Sequence, residues 1–217
     1  MKNSGVEWIE VGSRIVIWPL SRPSYVPAPP DLIGPRIYLR PPAFADFRVW
    51  ANLREASRDF LVPWEPTWPD DSLTRSAFRD RVDRQVKEWR QDVGYGFHVF
   101  RRDDDQLLGG INFSNVRRAA AQACNLGYWM GAAFAHQGLM TEALKLLLPY
   151  AFDGLGLHRV DAACIPENQP SRRLLLKFGF QEVGEAKGYL KINGAWRDHV
   201  LHCLRAEDLK ASPEMLG

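Results

Sequence analysis

Side-chain chemistry in this chain has to come from a small number of positions. Gly138 stands just ahead of an apolar-striped run, Thr141 to Phe152. A glycine there can turn backbone N–H groups toward an anion, because the first helical turn has unpaired donors and a positive dipole end. A plain tight turn uses glycine in the same way. Glu142 falls in the first turn of that helix, where the dipole favours a carboxylate. Pro166-Glu-Asn-Gln-Pro-Ser171 leads into a second, short helix, Arg172–Phe178, closed by Gly179 in the left-handed position after the helix end. Ser171 suits the cap of that helix. His199 and His202, three apart on one strand, project to opposite faces and form no metal site together. His158 precedes a buried strand and reads as structural. The three cysteines, Cys124, Cys164 and Cys203, are widely spaced without a C-x-x-C pair. They read as buried thiols in a reducing compartment.

The 217-residue chain has room for one domain of about 150–200 residues, or a domain with an extension. Its 46% hydrophobic and 25% charged content is that of a soluble globular protein that needs no disulfide or metal staple. A net charge of +2 argues against a dedicated nucleic-acid binder. The longest apolar run is well short of the ~20 residues that span a bilayer. Glu7 and Glu10 come early, and no small-residue cleavage pattern follows an apolar core, so no secretion signal is expected. Cytoplasm is the expected compartment. Eight tryptophans suggest a bulky core or an aromatic-lined cleft.

The elements that must position these residues follow from periodicity and breakers. Residues 1–35 are an extension with a short strand, Arg14–Trp18, followed by prolines that forbid a helix or central strand and imply an extended arm. Ile37–Arg40 is a strand. Phe44–Arg58 carries a helical stripe, with Asp46 near its start. Leu61-Val-Pro-Trp-Glu-Pro66 breaks the pattern, and a second helix runs from Ser72, its expected cap, to Gln91. Phe78, Val82, Val86 and Trp89 share one face of it, and the arginines opposite read as a solvated surface. Gly94–Arg101, with His98 outward, Leu107–Val116 and Cys124–Met130 form an antiparallel meander. Arg159–Cys164 is a strand. Asn193-Gly194 turns a final hairpin, Tyr189–Ile192 into Trp196–Leu204.

Taken together, "HQGLMTEAL", "GLHRV" and "ENQPSRRLLLKFGF" resemble the acyl-CoA-dependent N-acetyltransferase (GNAT) superfamily. "FLVPWEP", "GGINFSNV", "LGYWMG" and "YLKINGAWRDHVL" are similar to its ribosomal-protein alanine N-terminal acetyltransferases. The likeness runs from about Pro35 to Asp208. It implies an α+β fold in residues 36–208: a mixed, mostly antiparallel seven-stranded sheet flanked by about four helices, with residues 209–217 as a tail. The two parallel strands, Asn125–Met130 and Arg159–Cys164, would splay apart at a bulge.

The same resemblance implies acetyl-CoA as co-substrate and no metal. Pantetheine would add along the Leu126–Tyr128 edge, whose N–H groups would polarise the thioester. The pyrophosphate would lie on the N–H groups of His136, Gln137, Gly138, Leu139, Met140 and Thr141. Asn168 would bond the pantetheine arm, and Ser171 would protonate the leaving thiolate. Resembled loops carry Gln or Arg where this chain has Ala135, and Gly or Ala where it has Met140; backbone donors survive both changes. Asn125 replaces a frequent Glu and accepts no proton, so Glu65 is the expected base or substrate anchor. Trp64 and Tyr189 would line the acceptor side, and Asp198 and His199 of the final hairpin would face it. An α-amino group titrates near ~8 and a lysine near ~10.4, so a protein N-terminus needs only mild help. The expected acceptor is such an N-terminus, as on a ribosomal protein; a small amine (aminoglycoside or polyamine) and a non-catalytic acyl-CoA-binding module are the alternatives. No nucleic acid or membrane partner is expected, and the chain would be a monomer or homodimer.

Overall fold

The computed structural model describes residues 6–11, 14–19 and 32–211. The strand expected at Arg14–Trp18 is present as β2 (Arg14–Pro19), paired antiparallel with β1 (Val6–Val11). The prolines from Pro23 to Pro30, read as an extended arm, lie outside the described residues.

The body is built on one eight-stranded sheet with the order β3-β4-β5-β6-β7-β8-β10-β9. Its strands are β3 (Leu32–Ile33), β4 (Ile37–Arg40), β5 (Tyr95–Arg101), β6 (Leu107–Arg117), β7 (Ala123–Met130), β8 (Arg159–Cys164), β9 (Gln181–Ile192) and β10 (Ala195–Arg205). Every pairing is antiparallel except β7 with β8. The fold is therefore α+β and mixed, as expected, with eight strands where seven were expected. The additional strand is β3, whose two residues are too few for alternation to reveal.

Two clusters of apolar side chains mark the two faces of the sheet. On one face, Trp50 of α1 (Phe47–Ala56) and Phe78 and Val82 of α3 (Arg75–Arg90) pack on Tyr38, Phe100 and Leu107. On the other, Leu144 and Leu147 of α4 (Leu139–Pro149) and Leu175 of α5 (Gln169–Lys177) pack on Ile37, Val99, Ile111 and Val160. Adjacent strand residues such as Ile37 and Tyr38 go to different clusters, as the two-residue period of a strand requires. A short α2 (Arg58–Leu61) follows α1, and α6 (Ala206–Ala211) follows β10, burying Leu209.

Several local expectations are corrected. The helix expected over Phe44–Arg58 is interrupted: a 3-10 turn precedes α1, and Ser57 leaves helical geometry before α2. The cap of α3 is Thr74, whose hydroxyl accepts from Ala77 N–H, not Ser72. His98 does not face outward. β5 is covered on both faces, so alternation there carries no solvent side, and His98 is buried against Asp46 at 3.1 Å. Asp46 is fully buried and bidentate with Arg40 (2.9 and 2.6 Å), so the three side chains form a closed charge cluster. The helix expected over Thr141–Phe152 starts earlier, at Leu139, and gives way after Pro149 to a wide π turn, Tyr150–Gly154. The cap of α5 is Asn168, whose Oδ1 accepts from Ser171 N–H at 3.2 Å. That frees the Ser171 hydroxyl from the capping duty expected of it.

Candidate active site

The site begins where β7 and β8 part. They pair only from Ala123–Arg159 to Asn125–Asp161. Beyond that, β7 continues to Met130 bonded to β6 alone, and β8 to Cys164 bonded to β10 alone. From Leu126 onward the edge of β7 that faces β8 therefore has no strand partner. The irregularity beside this point lies in β6, where Asn115 takes a left-handed φ of 50° between the pairs Ser114–Asn125 and Arg117–Ala123; β7 itself stays in register from Asn125 to Met130. A cleft of about 540 Å³ fills the gap. Leu126, Gly127 and Tyr128 form one wall and Ala162, Ala163 and Cys164 the other.

At one end of the cleft the chain turns into α4. His136 (φ 61°) and Gly138 (φ 75°) are both left-handed, a backbone pattern that aims successive N–H groups to one side. His136, Gly138, Leu139, Met140 and Thr141 line the cleft; Gln137 does not, and its amide instead donates to the Ala133 carbonyl at 2.9 Å. Two residues hold this turn in place. Glu142, buried in the first turn of α4, accepts from Arg36 N–H (2.8 Å), Arg36 Nε (2.8 Å) and Ile37 N–H (3.2 Å). Arg36 Nη1 then donates to the Gln137 carbonyl at 3.1 Å. Glu142 is thus structural, as expected, although its partners are the edge of β4 and not only the dipole. Arg36 was not foreseen, and with a hundred residues between it and the loop no sequence pattern marks it.

The middle of the cleft holds Ser171, whose hydroxyl lies 2.6 Å from the Tyr128 phenol. Burial raises the Tyr128 pKa, partly offset by the hydrogen bond with Ser171, so the phenol keeps its proton. This phenol was missed, since only the backbone of Tyr128 was expected to act. Asn168 lines the same wall; with Oδ1 capping α5, its amide N–H₂ is left to donate. Cys164 also lies here, and burial pushes its thiol up to about 11, with Ser171 lowering it somewhat. All three cysteines are buried and free, as expected.

The far end is where the acceptor side was expected. Trp64 and Glu65 line it with Phe60, Trp129 and His199. Glu65 is heavily engaged. Its carboxylate takes Arg54 at 2.8 and 2.5 Å and the Trp68 indole N–H at 2.7 Å. Arg54 in turn is sandwiched between the rings of Trp68 (4.1 Å) and Trp129 (4.8 Å). The Glu65 carbonyl accepts from Asn193 N–H at 2.9 Å, tying this loop to the hairpin turn. Tyr189 and Asp198 are not on the cleft wall. Tyr189 rests against His199 with ring centroids 5.5 Å apart. Asp198 is half-exposed and bonded to Lys187 (2.9 Å) and Gly188 N–H (2.8 Å). His202 points to the opposite face from His199 and is buried. Among the described residues no group of three metal-ligating side chains exists, and no helix is long and apolar enough to cross a membrane.

A strand pair opened on one side, a donor-rich loop at a helix start and a hydroxyl pair between them define a class. Residues 36–181 match the acetyltransferase (GNAT) domain, and the chain belongs to that family. It is an acetyl-CoA-dependent N-acetyltransferase. Among relatives, the YjcK protein of Bacillus subtilis (strain 168) is 36% identical over 178 residues, covering 82% of this chain and 98% of that protein. The ribosomal protein uS5-alanine N-acetyltransferase of Escherichia coli (strain K12) is 38% identical over 158 residues, covering 73% and 81%. Among solved structures, Mycobacterium smegmatis RimJ in complex with CoA-disulfide superposes with a TM-score of 0.76 at 33% identity, covering 80% of this chain and 83% of that one.

Proposed function

We propose that this chain acetylates the α-amino group of a protein N-terminus, of the ribosomal-protein alanine type, by direct attack on acetyl-CoA. One observation carries the choice of acceptor. Among the described residues on the cleft wall Glu65 is the only carboxylate, and Arg54 and Trp68 already occupy it. Polycationic small amines are recognised by free acidic groups, whereas an aromatic approach past Trp64, Phe60 and Trp129, with its one carboxylate already paired, suits one peptide end. The relative that acts on the alanine of uS5 supports the same reading.

In this reading the free β7 edge at Leu126–Tyr128 bonds the pantetheine as an added strand would and donates to the thioester oxygen. N–H groups from His136 to Thr141 hold the pyrophosphate, in an orientation kept by Arg36 and Glu142. Asn168 donates to the pantetheine arm. Ser171, hydrogen-bonded to Tyr128, protonates the leaving sulfur. Of the two roles expected of Glu65, anchoring fits its three engaged hydrogen bonds better than proton abstraction. The test is thiol release from acetyl-CoA with peptides beginning in alanine, serine or methionine, set beside an aminoglycoside and a polyamine. Alanyl peptides are expected to turn over fastest; equal or faster turnover of the small amines would refute the acceptor assignment.

A further inference from the structure

The direct reaction needs a group to take the amine proton, and the roles above leave that group unnamed. Asn125 cannot accept one, and the Glu65 carboxylate is bridged to a guanidinium. His136 belongs to the turn before α4, at the phosphate end. The remaining candidate on the wall is His199.

Its position follows from strand geometry. β10 pairs with β8 without irregularity from Arg205–Arg159 to Val200–Cys164. His199 is therefore the next residue past the end of β8, at the mouth of the gap. Leu204 belongs to the cluster under α4 and α5. Five residues away on the same strand, His199 projects to the opposite face, as Trp129 does relative to Tyr128. That is the face of Trp64, Glu65 and α1, while Ser171 and Tyr128 stand on the other. The pairing of β10 with β9 shifts between Arg197 and His199, a break of the kind that re-aims side chains. The ring is then fixed twice. Nδ1 lies 3.1 Å from the Arg197 carbonyl, which only accepts, so Nδ1 carries the proton and Nε2 the lone pair. The Tyr189 ring packs against the imidazole. Among the described residues His199 has no other hydrogen bond, and it is 3% exposed although it borders the cleft.

We infer that His199 is the general base, with Nε2 facing the acceptor amine across the gap from Ser171, a role that rests on the acetyl-transfer reading above. The amine nitrogen attacks the thioester carbon and a C–N bond forms as the C–S bond breaks. One amine proton passes to Nε2 and on to solvent. The electron pair of the C–S bond leaves on sulfur, which takes the Ser171 proton, and solvent restores that proton. The sum is amine plus acetyl-CoA giving amide plus CoA thiol. Tyr189 acts as a positioning residue behind the imidazole.

Two variants separate proton transfer from support. His199→Asn keeps a side-chain N–H where Nδ1–H meets the Arg197 carbonyl but has nothing at Nε2; His199→Gln reaches the Nε2 position with a group that takes no proton. Both are expected to lose about 100-fold or more in kcat. The KM for acetyl-CoA and the melting temperature should stay close to wild type, and added imidazole should recover part of the rate in His199→Gly. A merely structural role predicts the reverse: near-wild-type kcat in His199→Asn and no response to imidazole, and either result overturns the assignment. The comparison is made on whichever amine the wild type accepts. A wild type that prefers small amines therefore refutes the peptide reading alone, with the His199 variants still decisive. A wild type that acetylates no amine refutes both.

Discussion

Removing one hydroxyl, in Ser171→Ala, tests the leaving-group side cleanly because of where the helix cap lies. Asn168 caps α5 through the backbone N–H of residue 171, which alanine retains. The substitution therefore deletes the hydroxyl 2.6 Å from the Tyr128 phenol and leaves the helix start intact. A hydrogen bond to a charged partner is worth about 1.5–3 kcal/mol. If Ser171 meets the developing thiolate, its loss lowers kcat by about 10- to 150-fold, at roughly 1.36 kcal/mol per tenfold. Tyr128→Phe removes a neutral partner, about 0.5–1.5 kcal/mol, and should cost about 2- to 12-fold. Since the two hydroxyls are arranged in series, the double variant should be little worse than Ser171→Ala alone. The assay is steady-state thiol release with both substrates varied, with acetyl-CoA binding measured by calorimetry. An unchanged kcat in Ser171→Ala, or fully multiplicative losses in the double variant, would show that the hydroxyl pair does not serve the leaving sulfur.

Glu142→Gln weakens the charged link from Arg36 to the loop before α4; loss of about 1.5 kcal/mol of charge-assisted bonding corresponds to roughly a tenfold rise in the KM for acetyl-CoA with kcat little changed, measured in the same assay. Asn168→Ala removes the α5 cap and should cost about 0.5–2 kcal/mol in denaturant unfolding, whereas Ser171→Ala should cost little. Acid should destabilise the fold through the buried Arg40–Asp46–His98 cluster. Burial alone would raise the Asp46 carboxyl, but hydrogen bonds from His98 and Arg40 hold it well below the usual range, and burial lowers His98. Both groups bind fewer protons folded than unfolded, so stability falls first as pH drops below the ordinary imidazole range near ~6.5, then again below the ordinary carboxylate range near ~3.9. Urea midpoints across that range provide the check; for Asp46→Asn the second decline should shrink.

Much of this architecture could be read in one dimension because it is written locally. The β7 and β8 segments, the glycine turn at 138, the Asn193-Gly194 hairpin and the apolar stripe of α3 each depend on residues a few positions apart. Where local rules competed, they misled. Thr74 rather than Ser72 capped α3, and Asn168 rather than Ser171 capped α5, because any of these side chains can cap and only the path of the chain selects one. His98 looked outward only because alternation presumes a wet face, and β5 has none.

The sequence by itself determined the order of most elements, since periodicity, turn residues and helix signals act over short spans; the kind of fold and the stretch where an acyl-CoA cleft would open came from its resemblance to the acyl-CoA-dependent N-acetyltransferases. Tertiary structure alone decided which side chains met there. Tyr128 with Ser171, Arg36 with Glu142 and Glu65 with Arg54 are joined across the chain. His199 reached the cleft because β10 lies beside the free end of β8. The physical reason is that a side chain's partner is set by how strands stack and where they part, and neither is a property of neighbouring residues.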